Sequence, residues 1–143
     1  MNFAVVIPAR YHSTRLMGKP LIKFNGIPMV VKTYKQCIKA VDQKLVYVAT
    51  DDLRVKKVCE INNIKVLMTS KDCLTGTDRV FEASKQLKAK TLINVQGDEP
   101  LFNPKDLKIL IKETKKFPND VITGYCEITD KKQFFDVNVP KVV

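Results

Sequence analysis

Short apolar runs alternate with amphipathic stretches along this chain. Phe3–Ile7, Leu45–Ala49, Ile64–Met68 and Thr91–Val95 are predominantly apolar and too short for helices. Strands buried on both faces, as in parallel sheets, read this way. The segments between them carry helical spacing. Within Pro28–Val41, the positions Val30, Tyr34, Cys37 and Val41 share a face. Asp51 and Asp52 stand at the start of a helix that runs to about Asn62. Val80, Ala83, Ser84 and Leu87 share the next face, and Pro104 opens a helix with Leu107, Leu110, Ile111 and Thr114 on one stripe. A first-turn proline fits there, because its missing N–H would have no helical partner. Val121–Ile128 predicts a further strand, and Val139–Val143 reads as the entry to another. Strands separated by helices predict a layered α/β domain over residues 1–143 with a mostly parallel sheet. The terminal apolar strand is expected either to lie at the sheet edge or to lead into a larger domain.

Composition changes this picture little. A chain of 143 residues can bury a substantial core. The net charge of +10 raises nucleic acid as a partner. Against that, most of the basic residues are lysines scattered over amphipathic segments, such as Lys105, Lys108, Lys112, Lys115 and Lys116. No aromatic residues interleave with them in an RNA-binding pattern, so no nucleic-acid partner is expected. Cys37, Cys59, Cys73 and Cys126 form no CxxC pair and have no histidine at metal spacing. Reduced thiols in a cytoplasmic chain are the expectation. The apolar N-terminus is short and leads into charge, and no run approaches a membrane span, so no membrane partner is expected.

Three loops carry candidate chemistry. The first, Ile7–Leu21, follows the first strand and holds Arg10, Arg15 and Lys19 among Ser13, Thr14 and Gly18. Arginine forks match phosphate oxygens in pairs and lysine adds a point charge, so the loop suits a polyphosphate. It is neither a Walker loop nor a GxGxxG turn. The second, Leu74–Arg79, leads into a helix. Thr77 or Asp78 can cap that helix, and a tight turn with free amides also suits a base edge or a phosphate. The third, Asn94–Pro100, follows the fourth strand. There Asp98 is the expected ligand for Mg²⁺, an ion that takes one or two carboxylates together with phosphate oxygens and waters. Glu99 stands beside it, and Gln96 faces the same opening. Asp51 and Asp52 fit a simple helix start. His12, the one histidine, has no base partner and is not expected to be catalytic.

The stretches Ile7–Leu21, Val48–Asp52, Met68–Arg79 and Asn94–Leu101, in this order, resemble the 3-deoxy-manno-octulosonate cytidylyltransferases, the CMP-Kdo synthetases. The resemblance implies a Rossmann-like, three-layer nucleotidyltransferase fold. It implies an enzyme that joins CTP and the sugar acid into CMP-Kdo with release of pyrophosphate, Mg²⁺-dependent, for lipopolysaccharide. Carried over, Arg10, Arg15 and Lys19 hold the triphosphate and, with Asp98, are the catalytic set. Pro8, Ala9, Thr75, Gly76, Thr77 and Arg79 surround the nucleotide. Gln96 lies near the sugar acid, and Asp98 binds the metal. Met17 stands where the family usually has proline. Family chains are also longer, and their C-terminal part supplies most of the sugar pocket, a second metal carboxylate and most of a homodimer contact. The resemblance therefore implies a chain lacking that C-terminal portion. Three functional classes follow: a cytidylyltransferase, a nucleotide-binding fragment without turnover, and, from charge alone, a nucleic-acid-binding domain.

Overall fold

The computed structural model describes residues 2–12, 16–137, 139 and 141. Four strands form one parallel sheet: β1 (Phe3–Pro8), β4 (Val46–Thr50), β5 (Lys65–Met68) and β6 (Thr91–Asn94). Their spatial order is β5-β4-β1-β6. Val5 lies opposite Val46 on one side and Ile93 on the other. The chain thus winds outward from β1 to β5 and then crosses back to place β6 on the free edge of β1. A crevice opens at the strand ends where the winding reverses, which is where open α/β sheets take ligands.

Side-chain alternation on β1 divides the core into two layers. Val5 and Ile7 face α1 (Met29–Cys37), α2 (Leu53–Ile61) and α4 (Pro104–Lys116), packing with Val30, Val31, Val55, Cys59 and Leu107. Val6 points the other way, onto Val80 and Ala83 of α3 (Gly76–Ser84). Helices therefore cover both faces of the sheet, giving the three layers expected. Burial pushes the Cys37 and Cys59 thiols up to about 12, so both are inert packing groups. No helix among the described residues is long and apolar enough to cross a membrane.

Three local readings differ from the sequence. Val121–Ile128 forms no strand, and Val121 is 99% exposed. Its β-favouring residues find no sheet edge to pair with, and strand propensity has little force without that context. Residues 139 and 141 of the terminal stretch are not in a strand, and Pro140, Val142 and Val143 lie outside the described residues. A two-residue-strand hairpin, β2 (Lys23–Phe24) and β3 (Ile27–Pro28), precedes α1. Asn25 and Gly26 turn it with φ of 51° and 75°, the Asn-Gly chemistry of tight hairpins. A short α5 (Lys131–Phe135), capped by Asp130, completes the described elements.

Candidate active site

The end of β1 anchors everything around the crevice. Ala9 N–H donates to Ala49 O at 2.8 Å, and the buried Thr50 hydroxyl donates to Ala9 O at 2.6 Å. These bonds extend the sheet by one residue and fix where the first loop departs. Arg10 then reaches across the crevice, its Nη1 donating to Leu74 O at 3.1 Å. On the other flank, Val95 N–H donates to Val6 O at 3.1 Å, carrying the next loop up beside Pro8. Gly97 is required there by close approach, because a Cβ would fall 2.5 Å from Pro8 O. The Thr33 hydroxyl of α1 lies 3.1 Å from Gly97 O and 3.2 Å from Met29 O, either of which can accept its proton.

A cavity of about 230 Å³ lies between these loops. Pro8, Ala9, Arg10, Lys19, Thr75, Gly76, Arg79, Gln96 and Asp98 all line it, so nearly every residue singled out in the sequence converges on one opening. Thr77 does not line it; it is exposed on the first turn of α3. Arg15 lies outside the described residues. Lys19 Nζ meets Asp98 Oδ2 at 2.6 Å at the rim, with both side chains partly exposed. Gln96 Nε2 donates to Asn94 Oδ1 at 3.3 Å.

The 74–79 segment departs from expectation in two respects. The cap of α3 is Thr75, not Thr77 or Asp78. Its hydroxyl accepts from Asp78 N–H at 3.1 Å, and Asp78 Oδ2 accepts from Thr75 N–H at 2.8 Å, a reciprocal capping box. The Thr75 hydroxyl, which also donates to Asp78 Oδ2 at 2.8 Å, and then the Thr75 N–H hold the Asp78 carboxyl below its ordinary range. The positive end of α3 thus forms one wall of the cavity. Arg79 sits inside α3, not in a loop, and is only 2% exposed. Its Nη1 donates to Thr69 Oγ1 and to Ser70 O, and lies 3.2 Å from Asp51 Oδ1. That last contact is charge against charge without hydrogen-bond geometry. Asp51 Oδ1 is buried and has no hydrogen-bond partner among the described residues.

Asp51 and Asp52, alike in sequence, therefore have different roles. Asp52 caps α2 through Arg54 N–H at 2.8 Å. The Arg54 guanidinium also binds its carboxylate, and this bond, ahead of the backbone and charge effects, holds Asp52 down to about 2. Asp51 instead forms the buried partner of Arg79. No local pattern signals that pairing, because the two residues meet only when α3 packs against the end of β4.

The sequence model described as Cytidylyltransferase matches residues 4–143. The chain belongs to the cytidylyltransferase family. Its relatives agree with that membership. An 8-amino-3,8-dideoxy-manno-octulosonate cytidylyltransferase of Shewanella halifaxensis is 41% identical over 148 aligned positions, spanning 100% of this chain and 60% of that protein. A 3-deoxy-manno-octulosonate cytidylyltransferase of Marinobacter nauticus is 40% identical, spanning 100% of this chain and 56% of its own length. The solved structure of a CMP:2-keto-3-deoxy-manno-octonic acid synthetase complexed with CTP superposes with a TM-score of 0.79 at 39% identity, over 83% of this chain and 49% of that one. The chain thus spans a little over half the length of the curated cytidylyltransferases it matches.

Proposed function

We propose that the cavity is a CTP site and that the chain carries the nucleotide half of a cytidylyltransferase for 3-deoxy-manno-octulosonate or its 8-amino form. The observation that carries this reading is the convergence of Arg10, Lys19, Asp98 and the positive end of α3 on one cavity at the β1–β6 crevice. Arg10 and Lys19 hold the triphosphate, with Arg15 assigned to the same task from the sequence. Thr75, Gly76 and Arg79 form the nucleoside wall, and Thr77 stands just outside it. Pro8 and Ala9 form the floor under the nucleotide, and Gln96 faces the sugar acid. The relative whose structure holds CTP, matched at TM-score 0.79, supports this choice of nucleotide.

The donor set suits magnesium. Asp98 offers one carboxylate, already matched to the Lys19 ammonium at 2.6 Å, and no group of three or more acidic, histidine or cysteine ligands exists among the described residues. Magnesium is satisfied by one or two carboxylates when phosphate oxygens and waters complete its shell. Bound there, it would neutralise charge on the triphosphate and on the departing pyrophosphate. In the reaction, the anomeric hydroxyl of the sugar acid attacks the α-phosphorus in line, and the bond to the pyrophosphate oxygen breaks. Arg10 and Lys19 spread the developing charge. No protein nucleophile is called for: the one hydroxyl lining the cavity among the described residues, that of Thr75, is engaged in the helix cap. The setting of this chemistry is the cytoplasmic activation of a lipopolysaccharide sugar, in a homodimer.

A second reading, nucleotide binding without turnover, is favoured by the cavity offering a single carboxylate, Asp98, among the described residues. One experiment separates the two. Thermal unfolding is followed with CTP, UTP, ATP and GTP, each with and without Mg²⁺, and then pyrophosphate release is measured with CTP and the sugar acid. At a hundredfold excess over Kd, a ligand stabilises by about 2.7 kcal/mol, or roughly 8 °C for a domain of this size. A CTP-selective, Mg²⁺-dependent shift that Asp98→Ala loses, followed by turnover, is the expected result. A shift without turnover establishes the second reading, and no shift in a cooperatively melting chain refutes both.

A further inference from the structure

Of the four arginines, Arg54 alone lies outside the three segments singled out in the sequence, and it does not line the cavity. Its guanidinium lies over the Tyr11 ring, the central carbon 3.4 Å from the ring centroid. Asp52 fixes the orientation of that plane with two bonds, Nε to Oδ1 at 3.0 Å and Nη2 to Oδ2 at 2.6 Å. Asp52 is itself set by capping α2, a helix anchored on the sheet through fully buried Val55 and Cys59. Tyr11 in turn meets Gly18: a Cβ on that glycine would lie 3.2 Å from three atoms of the phenol. Gly18 has φ of 70°, and its N–H donates to Tyr11 O at 2.8 Å. Tyr11 and Gly18 therefore close the base of the first loop against each other. Their chain neighbours, Arg10 and Lys19, are the two described cations of that loop that line the cavity.

We propose that Arg54 is a positioning residue for the polyphosphate site, acting through Tyr11 and Gly18 to hold Arg10 and Lys19 side by side before a ligand arrives. The proposal rests on the CTP reading of the cavity. An exposed ion pair alone contributes little to stability. A planar cation gripped by a carboxylate fork and stacked on a ring transmits orientation, and this geometry is available to arginine and not to lysine. The rigid shelf is α2, and the cargo is the pair of cations on the far side of the ring. Without the stack, the ordering of those long side chains falls on the binding step.

The test uses the full chain and four variants: Arg54→Ala, Arg54→Lys, Tyr11→Leu and Tyr11→Phe. Amide hydrogen exchange reports the Gly18 N–H, and calorimetry reports the Kd of CTP–Mg²⁺ and of inorganic tripolyphosphate. Arg54→Ala, Arg54→Lys and Tyr11→Leu are expected to speed Gly18 exchange and to weaken both ligands about tenfold, the ordering cost of one to two flexible side chains. Tyr11→Phe keeps the ring and is expected to match the native chain. For the two Arg54 variants, Gly18 exchange that speeds by more than exchange of the buried β1 amides sets this apart from general destabilisation. Unchanged Gly18 exchange in Arg54→Ala overturns the clamp. Faster exchange with unchanged affinity overturns its service to the site. A native chain that binds neither ligand refutes the CTP reading instead, and the exchange result on Gly18 tells that failure from the first.

Discussion

Removing the charge of Asp51 tests the least exposed ion pair among the described residues. Asp51 and Arg79 side chains are 6% and 2% exposed and approach to 3.2 Å. At an effective dielectric constant near 20, unit charges at that distance attract by about 5 kcal/mol. Much of this attraction only offsets the cost of taking both groups out of water. Breaking such a pair from one side is expensive because the survivor stays buried and charged, typically by about 3–5 kcal/mol. Arg79 keeps Thr69 Oγ1 and Ser70 O in Asp51→Asn, and the Asp51 contact is not a hydrogen bond, which places the loss near the lower bound. With an unfolding entropy of about 2.1 cal/mol/K per residue, about 3 kcal/mol corresponds to a fall in Tm of roughly 10 °C. The double variant Asp51→Leu/Arg79→Met removes both charges and is expected to recover most of that fall, since apolar replacement of a buried pair is often neutral. Because Arg79 lines the cavity, the double variant should nonetheless lose CTP affinity. Urea and thermal unfolding of the native chain, the single variants and the double variant form the assay. An Asp51→Asn chain melting within about 2 °C of native would refute the reasoning, because it would mean the pair is solvated.

Two further outcomes are expected. Gly97→Ala drives a Cβ to 2.5 Å from Pro8 O, a backbone atom that cannot swing aside. It should cost about 1–3 kcal/mol in urea unfolding and displace Asp98, so the Mg²⁺ dependence of CTP binding falls with it. Asp52, held at about 2 against an ordinary 3.8, contributes stability that is complete above the unfolded value and lost as pH falls from about 4 toward 2. Its carboxyl carbon shift should titrate in that window in the native chain and closer to 3.8 in Arg54→Ala.

The layered fold was legible because strands covered on both sides leave no polar alternation to confuse them. β1, for instance, is Phe-Ala-Val-Val-Ile-Pro, with five of its six residues buried. Pro104 and the stripe behind it marked α4 to within a residue or two. What escaped was either too short to have a period or dependent on distant partners. Each strand of the β2–β3 hairpin has two residues, and only Asn25-Gly26 announced it. Val121–Ile128 carried strand-forming residues without an edge to meet. The spacing Thr75-Gly-Thr-Asp78 did contain the capping box, a threonine followed three positions later by an acid, and points to Thr75 once the box is considered. Burial of Arg79 depends on Asp51, 28 positions earlier, and the stack of Arg54 on Tyr11 depends on the meeting of α2 with the first loop. Such pairings follow from topology, which no local window contains.

The sheet order also bears on how the chain reaches its native state. β1 gains its partner β4 after about forty residues, but its other edge waits for β6, with Val5 joined to Ile93 across 88 positions. The length-dependent part of the entropy of closing that loop is about 4 kcal/mol, against about 3 for β4. Contacts of such long range form slowly. β1, β4 and β5 can therefore associate first, bringing Ala9 and Arg10 into place through Thr50. Gln96, Gly97 and Asp98 arrive only when β6 zips onto β1. A chain arrested before that step, on the ribosome or in a refolding mixture, would hold the cationic flank of the crevice without its acidic counterpart. Triphosphate added during refolding would meet that flank first and could favour the late closure by mass action.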